Sequence, residues 1–151
     1  MTDYKQPVSV LVVIHTAALD ILLLERALHP GFWQSVTGSR EGEESLRATA
    51  CREVAEETGI AAEAHMLTDW NRAVDFEIFP QWRDRYAPSV THNREHLFSL
   101  LVPPEVLIRI HPAEHRAWAW HPWQAAAEAV FSWSNRDAIK ALAARHAGRT
   151  A

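Results

Sequence analysis

Three glutamates, Glu53, Glu56 and Glu57, fall within five consecutive positions of the segment RATACREVAEETGI. Carboxylates one turn apart on a helix repel one another by a few tenths of a kcal/mol, so the arrangement asks for a counter-charge. An isolated E-x-x-E-E is ordinarily a solvated helix face. A hard divalent cation such as Mg²⁺ offers a different use, because it takes oxygen ligands and commonly bridges carboxylates to substrate phosphates. Coordination then turns the repulsion into binding. Arg52, one turn before Glu56, is spaced to pair with it. At about 100° per residue the three carboxylates occupy one arc, expected to adjoin the apolar stripe and to be mostly distinct from it.

The elements around this cluster are those of a mixed α/β protein. The spacing of Leu46, Ala50 and Val54, widened by Cys51 and Ala55, predicts a helix from about Ser45 to Thr58. Gly59 stands where a left-handed residue ends a helix, and Ile60 where an apolar contact closes it. Val8–His15 is a β-branched apolar run, expected as a strand buried on both faces, with a second short strand at Ile21–Leu24. Further strands are expected at Ala64–Asp69, Arg72–Phe79, His96–Val102 and Trp118–Trp120, and Pro80–Asn93 reads as a long decorated loop. Pro122 opens a helix to about Val130, and Ser134 is expected to cap a last helix near Asn135–His146.

At 151 residues the chain is expected to form one domain, 1–151, with no repeat, low-complexity stretch or linker. No apolar run approaches the roughly 18–20 residues that span a bilayer, and MTDYKQP does not open a secretion signal. One cysteine, Cys51, excludes an internal disulfide and a cysteine zinc cluster, which fits the cytoplasm. A net charge of -4 argues against a nucleic-acid polymer as partner. The nine histidines are read as surface and structural residues.

Gly38, five residues, Glu44, seven residues, then Arg52-Glu53-Val54-x-Glu56-Glu57-x-Gly59-Ile60 is similar over its whole length to the Nudix box. The resemblance implies a loop–helix–loop catalytic motif at 38–60 within an α/β/α sandwich with a mixed central sheet. It also implies a hydrolase of phosphorus-containing anhydrides, with Mg²⁺ as cofactor and Mn²⁺ as a substitute. Glu53, Glu56 and Glu57 look like its metal ligands. Gly38 would supply a sharp backbone turn before the helix, and Arg52 and Glu44 would orient ligands and loop. Polyphosphate hydrolysis needs charge neutralised and a water activated, which metal ions supply. A carboxylate outside the helix is then wanted to take the water's proton or complete the metal site. Glu114, in HPAEHRAW beside Pro112, is the candidate. The catalytic set is thus Glu114, Glu53, Glu56 and Arg52.

The flanking segments QPVSVLVVI, FWQSVTGS, VDFEIFPQWRDRYAP, AEHRAW and SWSNR resemble one Nudix branch, the bacterial dihydroneopterin triphosphate pyrophosphatases of folate synthesis. That resemblance covers about Lys5 to Ala141. It implies release of pyrophosphate from 7,8-dihydroneopterin 3′-triphosphate. It puts Lys5, Arg26, Thr37, Phe76, Glu77, Ile78, Phe79 and Ser132 at the substrate. The residue types agree in part. Lys5 and Arg26 suit a triphosphate, the phenylalanines suit a pterin slot or the core, and Glu77 suits the ring's N–H donors. Trp33 and Trp133 read as core or pocket wall, and Arg83, Arg85 and Tyr86 as a solvated loop or a lid. The partner is therefore a small pterin or nucleoside triphosphate, with neither membrane nor nucleic acid, and the oligomeric state is left between a monomer and a weak homo-oligomer. Two competing readings are a general (deoxy)nucleoside triphosphate pyrophosphatase that cleanses the pool and an inactive Nudix domain that senses a ligand. ADP-ribose and dinucleoside tetraphosphate hydrolases often carry Pro or Tyr past the box, and Asp75–Ile78 holds neither.

Overall fold

The computed structural model describes residues 3–150; residues 1, 2 and 151 of the expected domain lie outside the described residues. Seven strands form one mixed sheet: β1 (Val8–His15), β2 (Asp20–Arg26), β3 (Trp33–Gln34), β4 (Val36–Ser39), β5 (Met66–Glu77), β6 (His92–Leu101) and β7 (His115–Pro122). The main path runs β3-β2-β1-β6-β5, with β7 paired to β2 and β4 to β1. β1 and β6 are parallel over their whole register, Val8 opposite Arg94 to His15 opposite Leu101. On its other edge β1 changes partner. It meets β4 from Ser9 to Val12 and β2 only at His15.

Three helices cover the sheet: α1 (Leu46–Thr58), α2 (Trp123–Ala129) and α3 (Trp133–Thr150). Period-2 alternation along β1 sends Val10, Val12 and Ile14 into a core with Ala50 and Val54 of α1, and Leu11 and Val13 into a second core with Ala126 of α2 and Ile139 of α3. The expected α/β/α sandwich is therefore present, with β1 buried on both faces. Ser45 caps α1, its hydroxyl accepting from the Ala48 N–H at 3.0 Å, and Gly59 ends it at φ 74°.

Several element boundaries differ from the sequence reading. The two strands expected over 64–79 are one strand, β5, bent at a bulge where Asn71 takes φ 51° and the register slips between Asp69 and Ala73. The Asn71 N–H donates to the Asp69 carboxylate at 2.8 Å, so a polar pair stabilises the bulge. Pro80–Arg85, expected as loop, winds into a 3₁₀ turn. β6 starts at His92 rather than His96, bringing Asn93 and Glu95 into the sheet. Helix α3 begins before the expected cap. Ser132, not Ser134, accepts from the Asn135 N–H at 3.2 Å, and Ser134 is buried inside the first turn.

Candidate active site

Helix α1 buries two of its three carboxylates. Glu57 is 2% exposed and Glu53 9%, whereas Glu56 is exposed. Helix geometry explains this, since Glu57 projects only about 20° from Ala50 and so lies within the apolar stripe. The expected separation of stripe and carboxylates holds for Glu56 alone. Burial, and then the adjacent Glu53, push the Glu57 carboxyl well above its ordinary pKa. Burial also raises Glu53, against the pull of Arg52. Glu57 Oε1 is buried with no hydrogen-bond partner. His115 Nε2 stands 3.8 Å away, beyond hydrogen-bond reach. Burial and then Arg26 lower the His115 pKa to about 4, so the ring is neutral at pH 7 and supplies no counter-charge.

Gly38 serves this pair differently from the turn expected of it. It lies within β4, it is absent from the positive-φ glycines, and a Cβ there would overlap the Glu53 carboxylate. The missing side chain is the space that the acid occupies. Arg52 holds the same acid from above. Its Nη1 donates to Glu53 at 2.7 Å, Nε to Glu44 at 2.8 Å, and Nη2 to the Ser39 carbonyl at 2.9 Å. Its expected i,i+4 partner Glu56 is the most distant of the hydrogen-bonded carboxylates, at 3.3 Å. The Arg52 guanidinium holds Glu44 down to a pKa of about 2, and Glu44 also accepts from the Glu41 N–H at 2.9 Å. Arg52 and Glu44 therefore tie the 39–45 loop to the helix.

This donor set suits a hard cation. It is all oxygen, it holds a buried acid with an unpaired atom, and among the described residues no lysine or arginine forms an ion pair with Glu57. Among the described residues no group of three or more His, Cys, Asp or Glu side chains is arranged to hold a metal ion by itself. Mg²⁺ does not require one, because it keeps several waters and shares its remaining positions with substrate phosphates.

Two adjoining cavities meet at the β3–β4 segment, where Gln34, Thr37, Gly38 and Ser39 line both. The first is an acidic cleft holding Arg52, Glu53, Glu56 and Glu57 on one side and Glu114 with His115 on the other. Glu114 sits on the turn before β7. Its carbonyl accepts from the Ala27 N–H at 2.9 Å, and its charge acts on both Glu57 and Arg26. The second cavity is a slot walled by Phe76, Ile78, Phe79, Trp82, Phe131 and Trp133, with Ser132 at its rim. Phe79 meets Trp82 edge-on at 5.4 Å and Phe131 at 5.8 Å. Lys5, Arg26 and Arg85 line both cavities, at the junction. The Arg26 guanidinium lies over the Trp82 ring at 4.8 Å. Partial burial, and then the charge of Arg85, lower the Lys5 pKa.

Every candidate site residue thus lines one of the two cavities. Glu77 does so with its side chain 61% exposed and paired to Arg83 at 2.7 Å, and Ile78 is largely a core residue. Residues 5–142 match the NUDIX domain family. The chain belongs to the Nudix family. It is 49% identical over 140 residues to the dihydroneopterin triphosphate diphosphatase of Escherichia coli K12, covering 91% of this chain and 92% of that protein. The Haemophilus influenzae protein of the same name is 41% identical over 143 residues, covering 93% and 89%. The solved structure of the E. coli dihydroneopterin triphosphate pyrophosphohydrolase superposes with a TM-score of 0.84 at 48% identity, over 91% of this chain and 94% of that one.

Within this Nudix frame the sequence reading passed over several lining residues. Asn93 ends the expected loop and Glu95 falls between it and the expected strand, and Gln34 and His115 lie in the segments FWQSVTGS and AEHRAW without a role assigned to either residue. A signal for Glu95 existed, a lone acid two residues before the Leu97 of an apolar strand. Arg85 is placed at the junction, whereas Arg83 is committed to Glu77.

Proposed function

We propose that this chain is a divalent-metal-dependent pyrophosphohydrolase that converts 7,8-dihydroneopterin 3′-triphosphate to its monophosphate and pyrophosphate, a cytoplasmic step of folate synthesis. The observation that carries the reading is the junction. An aromatic slot opens past Lys5, Arg26 and Arg85 into a cleft lined by Glu53, Glu56, Glu57 and Glu114 among its acids. The ring's identity follows from the names of the relatives at 49% and 41% identity. No helix among the described residues is long and apolar enough to cross a membrane.

In this reading the slot takes the pterin against Phe76 and Phe79, and the propyl chain passes Thr37 and Ser132. Lys5, Arg26 and Arg85 donate charge-assisted hydrogen bonds to phosphate oxygens. Glu53, Glu56 and Glu57, joined by Glu114, would hold Mg²⁺, with Mn²⁺ as a substitute; bound there, it neutralises phosphate charge and lowers the pKa of water. Gly38 and Arg52 keep Glu53 in place, and the apolar wall of α1 keeps Glu57 dry. Glu114 is the one carboxylate of the set carried by another element, and its oxygen accepts the water's proton or completes the metal's ligands.

Pyrophosphate release with Mg²⁺ tests the assignment across dihydroneopterin triphosphate and the common nucleoside triphosphates. The pterin compound is expected to give the highest kcat/KM, and chelator is expected to abolish turnover. Equal or better use of dATP would move the chain to the pool-cleansing reading, and no turnover of any triphosphate to the ligand-sensing one.

A further inference from the structure

Behind the α1 carboxylates runs a chain of polar side chains whose donors and acceptors fix one another. Gln34 is 4% exposed and His115 3%. β7 bulges where its register against β2 slips: Ala117 stands opposite Glu25, and His115 rather than Arg116 comes opposite Arg26. The bulge turns the histidine inward and leaves Arg116 exposed. Arg26 Nη1 donates to Gln34 Oε1 at 3.3 Å, and Gln34 Nε2 stands 3.4 Å from His115 Nε2. His115 Nε2 in turn stands 3.8 Å from Glu57 Oε1.

An arginine side chain has donors and no acceptor, so the Gln34 atom that faces Arg26 is the amide oxygen. The amide nitrogen then faces His115 and donates. His115 Nε2 has to accept, which leaves the ring's single proton on Nδ1. Two buried atoms stay unpaired in this arrangement, His115 Nδ1 and Glu57 Oε1. The opposite tautomer would offer Glu57 a donor, but it would set an Nε2–H against the N–H of Gln34. We infer that Gln34, oriented by Arg26, locks His115 as the Nδ1–H tautomer and so withholds a proton donor from Glu57, keeping Oε1 free for a divalent cation. Gln34 and His115 are thus positioning residues that act through Glu57. A buried acceptor without a donor is costly, and here that cost falls on the atom a cation would take. The inference deepens the proposed function and rests on it for the cation, whereas the tautomer belongs to the metal-free chain.

Nitrogen NMR of the metal-free protein reads the tautomer directly. Long-range ¹H–¹⁵N correlations are recorded at neutral pH in excess chelator, and the His115 signals are those missing from His115→Phe. An imidazole free in water favours the proton on Nε2, so the expected result, a protonated Nδ1 and a bare Nε2, departs from the default. The reverse tautomer, or a ring protonated on both nitrogens, overturns the inference with no further variant needed. Binding of Mn²⁺, followed by the paramagnetic resonance of the free ion, then tests the consequence. Gln34→Leu removes the amide and lets the ring turn its proton toward Glu57. It is expected to move the proton to Nε2 and to weaken Mn²⁺ binding by about 10–100-fold, the usual scale for partners of a metal ligand. Adding His115→Phe to Gln34→Leu removes the donor, and most of the lost affinity is expected to return. A loss that persists in the folded double variant makes Gln34 a packing residue and overturns the inference. A wild type with the proton on Nδ1 that binds no Mn²⁺ upholds the tautomer lock and sinks the metal reading of Glu57.

Discussion

Glu57 is a carboxylate at the bottom of an apolar helix face, with an unpaired oxygen, a second acid beside it and a neutral histidine behind it. Such an arrangement sets burial, and then repulsion from Glu53, against ionisation of Glu57 in the metal-free protein. Glu57→Gln relieves the repulsion at constant volume. The metal-free variant is expected to melt higher than metal-free wild type. Saturating Mg²⁺ should then raise the melting point of wild type and leave the variant almost unmoved, while kcat/KM falls by at least about 10²-fold. Calorimetric melts with and without chelator check this, and a variant that still gains as much stability from Mg²⁺ would remove Glu57 from the metal ligands. Gly38 belongs to the same residue-scale device, because its lost side chain makes room for Glu53.

At the scale of elements, the site depends on a change of partner along β1, which pairs with β4 at one end and with β2 at the other. Glu114 comes from a separate element, the turn at 111–114, where its N–H donates to the His111 carbonyl at 3.0 Å and its carbonyl is held by Ala27 after β2. Pro112 stiffens that turn, and β7 anchors it from the other side. This bracing makes Glu114→Gln a test of chemistry rather than of folding. The variant is expected to lose about 10²–10⁴-fold in kcat, with KM and melting temperature little changed. A lost alkaline pH dependence with Mg²⁺ requirement intact identifies a base, and a raised Mg²⁺ requirement identifies a ligand. Wild-type behaviour in both measurements makes it a bystander.

For the whole molecule, several buried groups tie stability to pH. Glu95, raised from 4.5 to about 7 by burial, binds more protons in the folded than in the unfolded chain between those values. Its contribution is therefore full below about 4.5 and is lost as pH rises through 7, at most about 3 kcal/mol. Glu53 and Glu57 are raised and act in the same direction. His115, lowered from 6.5 to about 4, opposes them below pH 6.5, where the unfolded chain takes up the proton first. Above pH 6.5 His115 is neutral in both states and no longer opposes the glutamates. Urea unfolding in chelator is expected to show stability falling from pH 6.5 to 8.5, with a shallower slope in Glu95→Leu. A flat or rising wild-type profile would contradict the burial of these acids.

Helix α1 with its acidic cluster was legible in the sequence because its parts are local. Gly38, Glu44, Arg52 and the three glutamates lie within 38–60, and helical period, Ser45 cap and Gly59 stop fix their relative positions without help from the rest of the chain. The same locality made β1 and the two-sided sandwich readable, since Val8–His15 has apolar residues at both parities. The depth of Glu57 was implicit in the helical angle, but its desolvation depends on the packing of α1 on the sheet and on His115, 58 positions along the chain. The role of Gly38 was misread because a glycine signals a turn locally, whereas here a side chain from another element fills its space. Asn93 and Glu95 were hidden for a related reason. Only the pairing of β6 with β1 and β5, and the arrival of Ser134 on α3, turn a polar stretch before a strand into a dry wall of acceptors. Spacing along one element determines which groups can act together, and tertiary packing alone decides which of them lose their water.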